Sequence, residues 1–301
     1  QQLQAMAGPA SGPNGGQIYI DGFSGGNLPP KASIREVRIN SNPYSTEYDR
    51  PGFGRIEILT RPGTDNIRGQ AFVQYNNQHL DSRSPLLSQS TLPPYSQKFF
   101  GFHLTGPIRK GKASFGFDME RRMIDENAFV LADTLDASLN PLTINTAIVT
   151  PQTRTSFSPR LDYAINANNT LVVRYQNGRS AAENEGVGNF ALASRAYSRT
   201  STDHTLQVTE TSILNPHTIN ETRFQWRRSS AWSLSDNTAP ALTVQGAFES
   251  GGAQVGNSGS LDHSTELDNM TTFTHGTHTW KFGARLRNSW IDDTSMNNFG
   301  G

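Results

Sequence analysis

The sequence predicts a mainly all-β chain: a partial transmembrane antiparallel β-barrel of about nine visible strands, preceded by part of a small mixed α/β module. Three observations predict it. After Gly69 the chain runs in long segments that alternate apolar and polar residues. The links between them alternate long and short without exception, as in an up-and-down meander with tight turns at one rim and long loops at the other. No apolar stretch exceeds Ala128 to Ala132, far below the roughly 20 residues of a spanning helix, so any membrane crossing is made by strands.

Taken in order, Gln1 to Gly16 is rich in Gly, Ala, Pro and Gln and reads as a flexible linker. Residues 17–64 hold short β-type runs, Ile18 to Ile20, Ile34 to Ile39 and Arg55 to Arg61, separated by Gly, Pro, Asn and Asp clusters. Strands follow near 69–78, 97–106, 112–124, 153–165, 170–178, 197–213, 218–235, 260–274 and 278–290. The long links are 79–96, 125–152, 179–196 and 236–259. Within the strands, one face is apolar and aromatic and the other charged, as a period of two requires. Phe115, Phe117 and Met119 oppose Asp118, Glu120 and Arg122; Leu161 and Tyr163 oppose Arg160 and Asp162; Leu171, Val173 and Tyr175 oppose Arg174; Trp280, Phe282 and Leu286 oppose Lys281, Arg285 and Arg287. Segments of ten residues or more exceed the usual soluble strand of about 5–6 and match the 9–11 of a tilted membrane strand.

Composition narrows function. The chain has 301 residues, with 26 Lys+Arg against 26 Asp+Glu and no Cys. Charge balance without a basic cluster argues against a nucleic-acid partner. Absence of Cys excludes thiol nucleophiles, disulfide scaffolds and Cys-ligated metals. Asn, Ser and Thr together outnumber the charged residues, so polarity rests largely on small uncharged side chains.

Ile34-Arg35-Glu36-Val37-Arg38-Ile39, Tyr44 to Tyr48, Gly54-Arg55-Ile56-Glu57-Ile58-Leu59-Thr60-Arg61-Pro62-Gly63-Thr64 and Gly69 to Phe72 occur in this order. The series resembles the end of the plug domain of TonB-dependent outer-membrane receptors and its junction with the first barrel strand. Ile56, Ile58 and Thr60 fit the family pattern and Arg61 takes a Lys position. Arg55 and Glu57 replace small or Asn residues, and Asn40-Ser41-Asn42-Pro43 stands where the family has Arg-Gly-Pro. These departures, with Ile18 to Phe23, Leu28 to Lys31, Gly106-Pro107-Ile108, Phe117 to Arg122 and His278 to Gly283, are similar to the Oar-like subgroup. The resemblance implies a linker over 1–16, the C-terminal part of a plug over 17–66 and the N-terminal part of a barrel over 67–301. It also implies a bacterial outer-membrane location, lipid around the barrel, an unidentified bulky extracellular ligand, and energy from a TonB–ExbB–ExbD complex. Nine strands fall short of the about 22 of such barrels, so the chain is expected to be an internal fragment. The alternatives from other classes are a soluble or surface all-β module, perhaps glycan-binding, and a passive porin.

The candidate residues follow from this picture. Arg35, Glu36, Arg38, Glu47, Arg50, Arg55, Glu57 and Arg61 form a dense mixed-charge set, read as a latch between plug and barrel. Asp118, Glu120, Arg122, Arg160, Asp162, Arg174, Arg223, Lys281 and Arg285 are expected to face the lumen. The carboxylates among them lack a neighbouring nucleophile, oxyanion site or metal, so no catalysis and no cofactor are expected. His275 and His278 bracket a turn at Gly276; Asp262, His263, Glu266 and Asp268 read as a solvated loop rim rather than a cation site. Glycines 22, 25 and 26 read as turn chemistry, and the Asn-x-Thr triplets at Asn168, Asn220 and Asn269 carry no function in a bacterial outer membrane. Phe99, Phe100, Phe102, Trp226, Trp232, Trp280 and Trp290 are expected to form membrane-interface girdles. The long links are expected to make the first ligand contacts.

Overall fold

The computed structural model describes residues 17–25, 28–39, 45, 47, 55–85, 92–235, 237–253 and 255–296. A small four-stranded sheet lies against one face of a nine-stranded wall. The small sheet holds β1 (Gln17–Ile20), β2 (Phe23–Ser24), β3 (Ile34–Ile39) and β4 (Arg55–Thr60) in the order β2-β1-β4-β3. Strand β4 runs parallel to β1 and antiparallel to β3. Ile20, Ile56 and Ile58 are fully buried, with Ile18, Ile34 and Ile39 packed around them. Burial of each such side chain stabilises by about 1.5–3 kcal/mol. Alternation then turns Arg55 and Glu57 to the opposite face of β4, where they too are buried, as a pair 2.5 Å apart. Between β1 and β2 the chain reverses on Asp21 and Gly22 alone, with φ of 50° and 86°. Two left-handed residues are what a type I′ hairpin demands, and Asp-Gly supplies them at low cost.

The wall consists of β5 (Arg68–Asn77), β6 (Ser96–Arg109), β7 (Ala113–Leu135), β8 (Pro141–Ala164), β9 (Asn169–Glu185), β10 (Tyr197–Asn215) and β11 (Thr218–Leu234). After the short β12 (Leu242–Val244) and β13 (Phe248–Ser250) come β14 (Ser258–His275) and β15 (His278–Thr294). Apart from β12 and β13, which pair with each other, all neighbours are sequential and antiparallel. Strands β5 and β15 are the two edges of the wall among the described residues. No helix among those residues is long and apolar enough to cross a membrane.

The expected nine strands are present, but one of the expected long loops is largely strand and a second is strand in part. β7 and β8 continue in register from Asp125↔Pro151 to Leu135↔Pro141, leaving only Asp136 to Asn140 as a turn. The β-branched run through Ile144, Thr146, Ile148 and Val149 favours extended backbone. Its neighbours also supply edge partners: Leu131 N–H donates to Asn189 O (2.8 Å) and Asp133 N–H to Ala247 O (3.1 Å). Leu192 N–H and Glu249 O, and Glu249 N–H and Phe190 O, join residues 186–196 to the β12–β13 hairpin. Val130, Ala132 and Ala253 are buried in this cap. Segment 179–196 likewise keeps strand to Glu185.

Register sorts the wall into rows. On the outer face Phe115, Leu161, Val173, Val208, Phe224, Leu267 and Leu286 are successive cross-strand partners. On the inner face the adjacent row reads Gly116, Arg160, Arg174, Gln207, Gln225, Glu266 and Arg287. An unbroken apolar row outside and a polar one inside is the pattern of a membrane barrel wall.

Candidate functional site

The small sheet meets the wall along that polar inner row and the one beside it, which reads Asp162, Val172, Thr209, Arg223, Asp268 and Arg285. Arg160 and Arg174 are cross-strand partners, so two like charges stand opposite each other, a destabilising arrangement by itself. Asp21 of the β1–β2 turn offsets it. Its carboxylate lies 3.5 Å from Arg174 and 3.9 Å from Arg160, and accepts hydrogen bonds from Thr60 N–H (2.8 Å) and Thr60 Oγ1 (2.6 Å). Arg160 in turn donates to Thr60 Oγ1 at 2.5 Å and grips Asp162, whose Oδ2 accepts from Gly63 N–H at 2.9 Å. Arg174 donates to Ser158 Oγ, and the nearby Asp118 pairs with His103 Nδ1 at 2.7 Å.

Ser24, two residues past the same turn, makes the second anchor. Its hydroxyl donates to Glu266 Oε2 (2.8 Å) and accepts from Arg287 (2.9 Å), while its carbonyl accepts from Gln225 (3.1 Å), itself bonded to Gln207. Gly22 lies beneath the Arg223 guanidinium; a Cβ there would stand 2.6 Å from Arg223 Cζ. A third anchor joins Glu47 to Lys281 through its carboxylate and to Arg285 through its carbonyl (2.8 Å). Between sheet and wall remains a cavity of about 440 Å³, lined by Arg38, Arg55, Glu57, Arg160, Arg223 and Lys281 among others.

The structure places the eight latch residues differently from one another. Glu47 bridges directly to the wall. Arg55 and Glu57 pair together at the cavity. Glu36 and Arg38 form an exposed pair along β3, where the Arg38 hydrogen bond holds the Glu36 carboxyl below the usual carboxylate range. Arg61 donates to Ile34 O within the small sheet, Arg35 is exposed on β3, and Arg50 lies outside the described residues. Of the lumen-facing set, Arg160, Asp162, Arg174, Arg223, Lys281 and Arg285 gather at the junction. Asp118 and Glu120 lie beside it, and Arg122 stands farther along the same face of β7.

Asp21, Ser24, Thr60 and Gly63 were not anticipated as contacts; the Asp-Gly turn was their one sequence signal. Asp262, Glu266 and Asp268 lie within β14 rather than on a loop rim, and their charges pair with Arg227, Arg287 and Arg285. Among the described residues no group of side chains has metal-binding geometry. Gly22 and Gly25 have positive φ, as turn residues do; Gly26 lies outside the described residues. His275 and His278 flank the last tight turn; His275 stacks on Phe273, His278 packs tilted against Trp280, and the Phe273 and Trp280 rings stack 5.6 Å apart. Phe99 departs from the girdle set, because the pleat turns it inward, edge-on to Phe72 at 4.7 Å. Trp232, Trp280 and Trp290 are exposed.

A family model described as an outer membrane beta barrel domain matches residues 59–140 and 127–301. The chain belongs to that family. It is accordingly an outer-membrane protein whose spanning elements are strands. Among solved structures the fold is similar to the outer membrane transporter YddB of Escherichia coli, at 11% identity and a TM-score of 0.65 over 92% of this chain and 41% of that one. It is also similar to the siderophore receptor PirA of Acinetobacter baumannii (14% identity, TM-score 0.59, 94% and 41% covered). The ferric enterobactin receptor PfeA of Pseudomonas aeruginosa is a third (13% identity, TM-score 0.59, 93% and 42% covered). At such identity the likeness concerns fold. The chain spans about two fifths of the length of these structures, and no curated protein matches it.

Proposed function

We propose that the chain is part of a TonB-dependent outer-membrane receptor of the Oar-like subgroup. In this reading residues 1–16 are a linker, 17–66 belong to a plug and 67–301 to its barrel. A bulky extracellular ligand is taken up with energy from a TonB–ExbB–ExbD complex, without enzymatic chemistry. One observation carries the reading: a separately cored small sheet is fastened to the polar inner face of a membrane wall by three groups of polar contacts. A porin has no need of such a body in its lumen, and a soluble module has no need of an outer apolar row. Charge-rich contacts suit a part that must be held and then released, since their strength depends on having every partner in place.

Conductance of the full-length protein in planar bilayers tests this. The intact protein is expected to be closed to ions, deletion of residues 17–64 is expected to open it, and the purified periplasmic domain of TonB is expected to bind it. Open conductance of the intact protein with no TonB binding would favour the porin.

A further inference from the structure

The inner wall carries a second pair of facing arginines. Arg122 of β7 and Arg154 of β8 are direct cross-strand partners on the same inward face as Arg160, nearer the rim formed by the long links. Arg199 of β10 faces the same hollow, a cavity of about 320 Å³ that Gln152, Ser180 and Ser201 also line. No carboxylate lines it among the described residues, and none of the three guanidiniums has a hydrogen-bond or ion-pair partner there. Glu120, one rung toward the tight turns on the same face of β7, makes no ion pair with either arginine. Where Arg160 faces Arg174, the small sheet supplies Asp21. At Arg122 and Arg154 no described residue supplies an ion-pair partner.

We propose that this hollow binds an anionic ligand, a small molecule carrying two or more carboxylate or phosphate groups. Strand spacing of about 4.8 Å and a rise of about 3.3 Å place the Arg154 and Arg199 backbones roughly 12 Å apart. Arg122 lies about 5 Å from Arg154. Each planar guanidinium can fork onto one oxyanion, so the geometry selects a ligand with separated anionic groups over a single small ion. Ser180 and Ser201 add hydroxyls between the charges. The inward orientation excludes lipid phosphates of the surrounding leaflet as the occupant. The inference rests on the receptor reading above for the anion's being cargo, and not for its being bound.

The full-length protein in detergent, titrated calorimetrically with citrate and with pyrophosphate, tests it. Saturable binding of at least one probe is expected, weakened fivefold or more by each of Arg122→Gln, Arg154→Gln and Arg199→Gln and abolished in the triple variant. Arg121→Gln removes the same charge from the opposite face of β7 and is expected to leave binding within twofold. Circular dichroism confirms that each variant retains its strands. Absence of saturable binding to both probes, or equal loss in Arg121→Gln, would overturn the inference. TonB binding by the same protein is read separately, so the receptor reading stands or falls on its own.

Discussion

Replacing Asp21 by Asn tests whether the small sheet is held by charge. The change keeps the size of the side chain and an oxygen to accept from Thr60, while removing the countercharge to Arg160 and Arg174. At 3.5 Å and an effective dielectric near 20, one such pair is worth ~5 kcal/mol before desolvation. The Asp21 side chain is 25% exposed, which screens it, while Arg174 at 6% is left as a buried unmatched cation. The net cost of Asp21→Asn is therefore about 2–3 kcal/mol, a roughly 30- to 150-fold rise in the undocked population. Because the chain has no Cys, a single thiol can report it. Thr105 is buried in the crevice beneath Ser33, Thr60 and Pro62, so maleimide labelling of Thr105→Cys is expected to accelerate by that factor when Asp21→Asn is added. A double-mutant cycle with Arg174→Gln isolates the pair. Coupling within about 0.5 kcal/mol of zero, or labelling changed less than threefold, would refute the reasoning.

Three further outcomes are expected. Asn220 and Asn269 exchange amide hydrogen bonds on the outer face and also reach Thr271 and Thr222; either single change to Leu leaves its partner's amide short of a hydrogen bond and is expected to cost about 1–2 kcal/mol by urea unfolding in vesicles, whereas the double change costs less than the sum. Arg195 is buried in the cap, donating to Gly252 O at 3.0 Å with Glu249 at 3.9 Å; Arg195→Ala is expected to cost the cap about 2–3 kcal/mol and raise proteolytic cleavage within 237–253, with cleavage unchanged as the contrary result. At the β7–β8 tip the Asp136 carboxyl is held below its usual range by hydrogen bonds from Asn140 and Ser138. A lowered carboxylate stabilises fully above its unfolded pKa and loses that effect as pH falls through the folded one, so amide protection at Ser138 and Asn140 is expected to persist at pH 5 and fade below about pH 4; fading between pH 5 and 7 would contradict it.

Much of the wall was legible because membrane strands carry two signals at once, period-two chemistry and alternating link length. Strand ends near the cap were not. Residues 125–152 pair as strands partly because 186–196 and 237–253 fold against them, and that packing has no local sequence mark. The junction was half legible. Arg160, Arg174 and Arg285 could be assigned to the inner face by counting, but the dense charges of 35–61 drew attention to side chains that largely pair within the small sheet. The contacts that cross to the wall come instead from short side chains and backbone, Asp21, Ser24, Gly63, with Glu47 the exception among the charges of 35–61. Short side chains bridge two bodies where their backbones approach closely, and approach distance is a tertiary property. Register would have been the better guide: aligning β8 with β9 sets Arg160 opposite Arg174 and calls for an acid from elsewhere in the chain.

The same alignment gives the wall a common logic. Two facing arginine pairs stand on its inner side, Arg160 with Arg174 and Arg122 with Arg154, and cross-strand repulsion makes each unfavourable alone. The first is offset by Asp21, carried on a body separate from the wall. The second has no ion-pair partner among the described residues and opens toward the rim of the long links. An anion that reaches Arg122 and Arg154 would do there what Asp21 does below. Glu120 stands between the two pairs, two residues from Arg122 and two from Asp118 on the same inward face of β7, and Asp118 lines one crevice with Arg160 and Arg174. Anion binding at the upper pair and docking of Asp21 at the lower one therefore share a short line of charges. If that line couples them, saturating citrate should alter Thr105→Cys labelling by the same factor by which docking of the small sheet alters citrate affinity, since coupling free energies between two binding equilibria are reciprocal. Labelling unchanged by citrate would leave the two arginine pairs as independent sites on one wall.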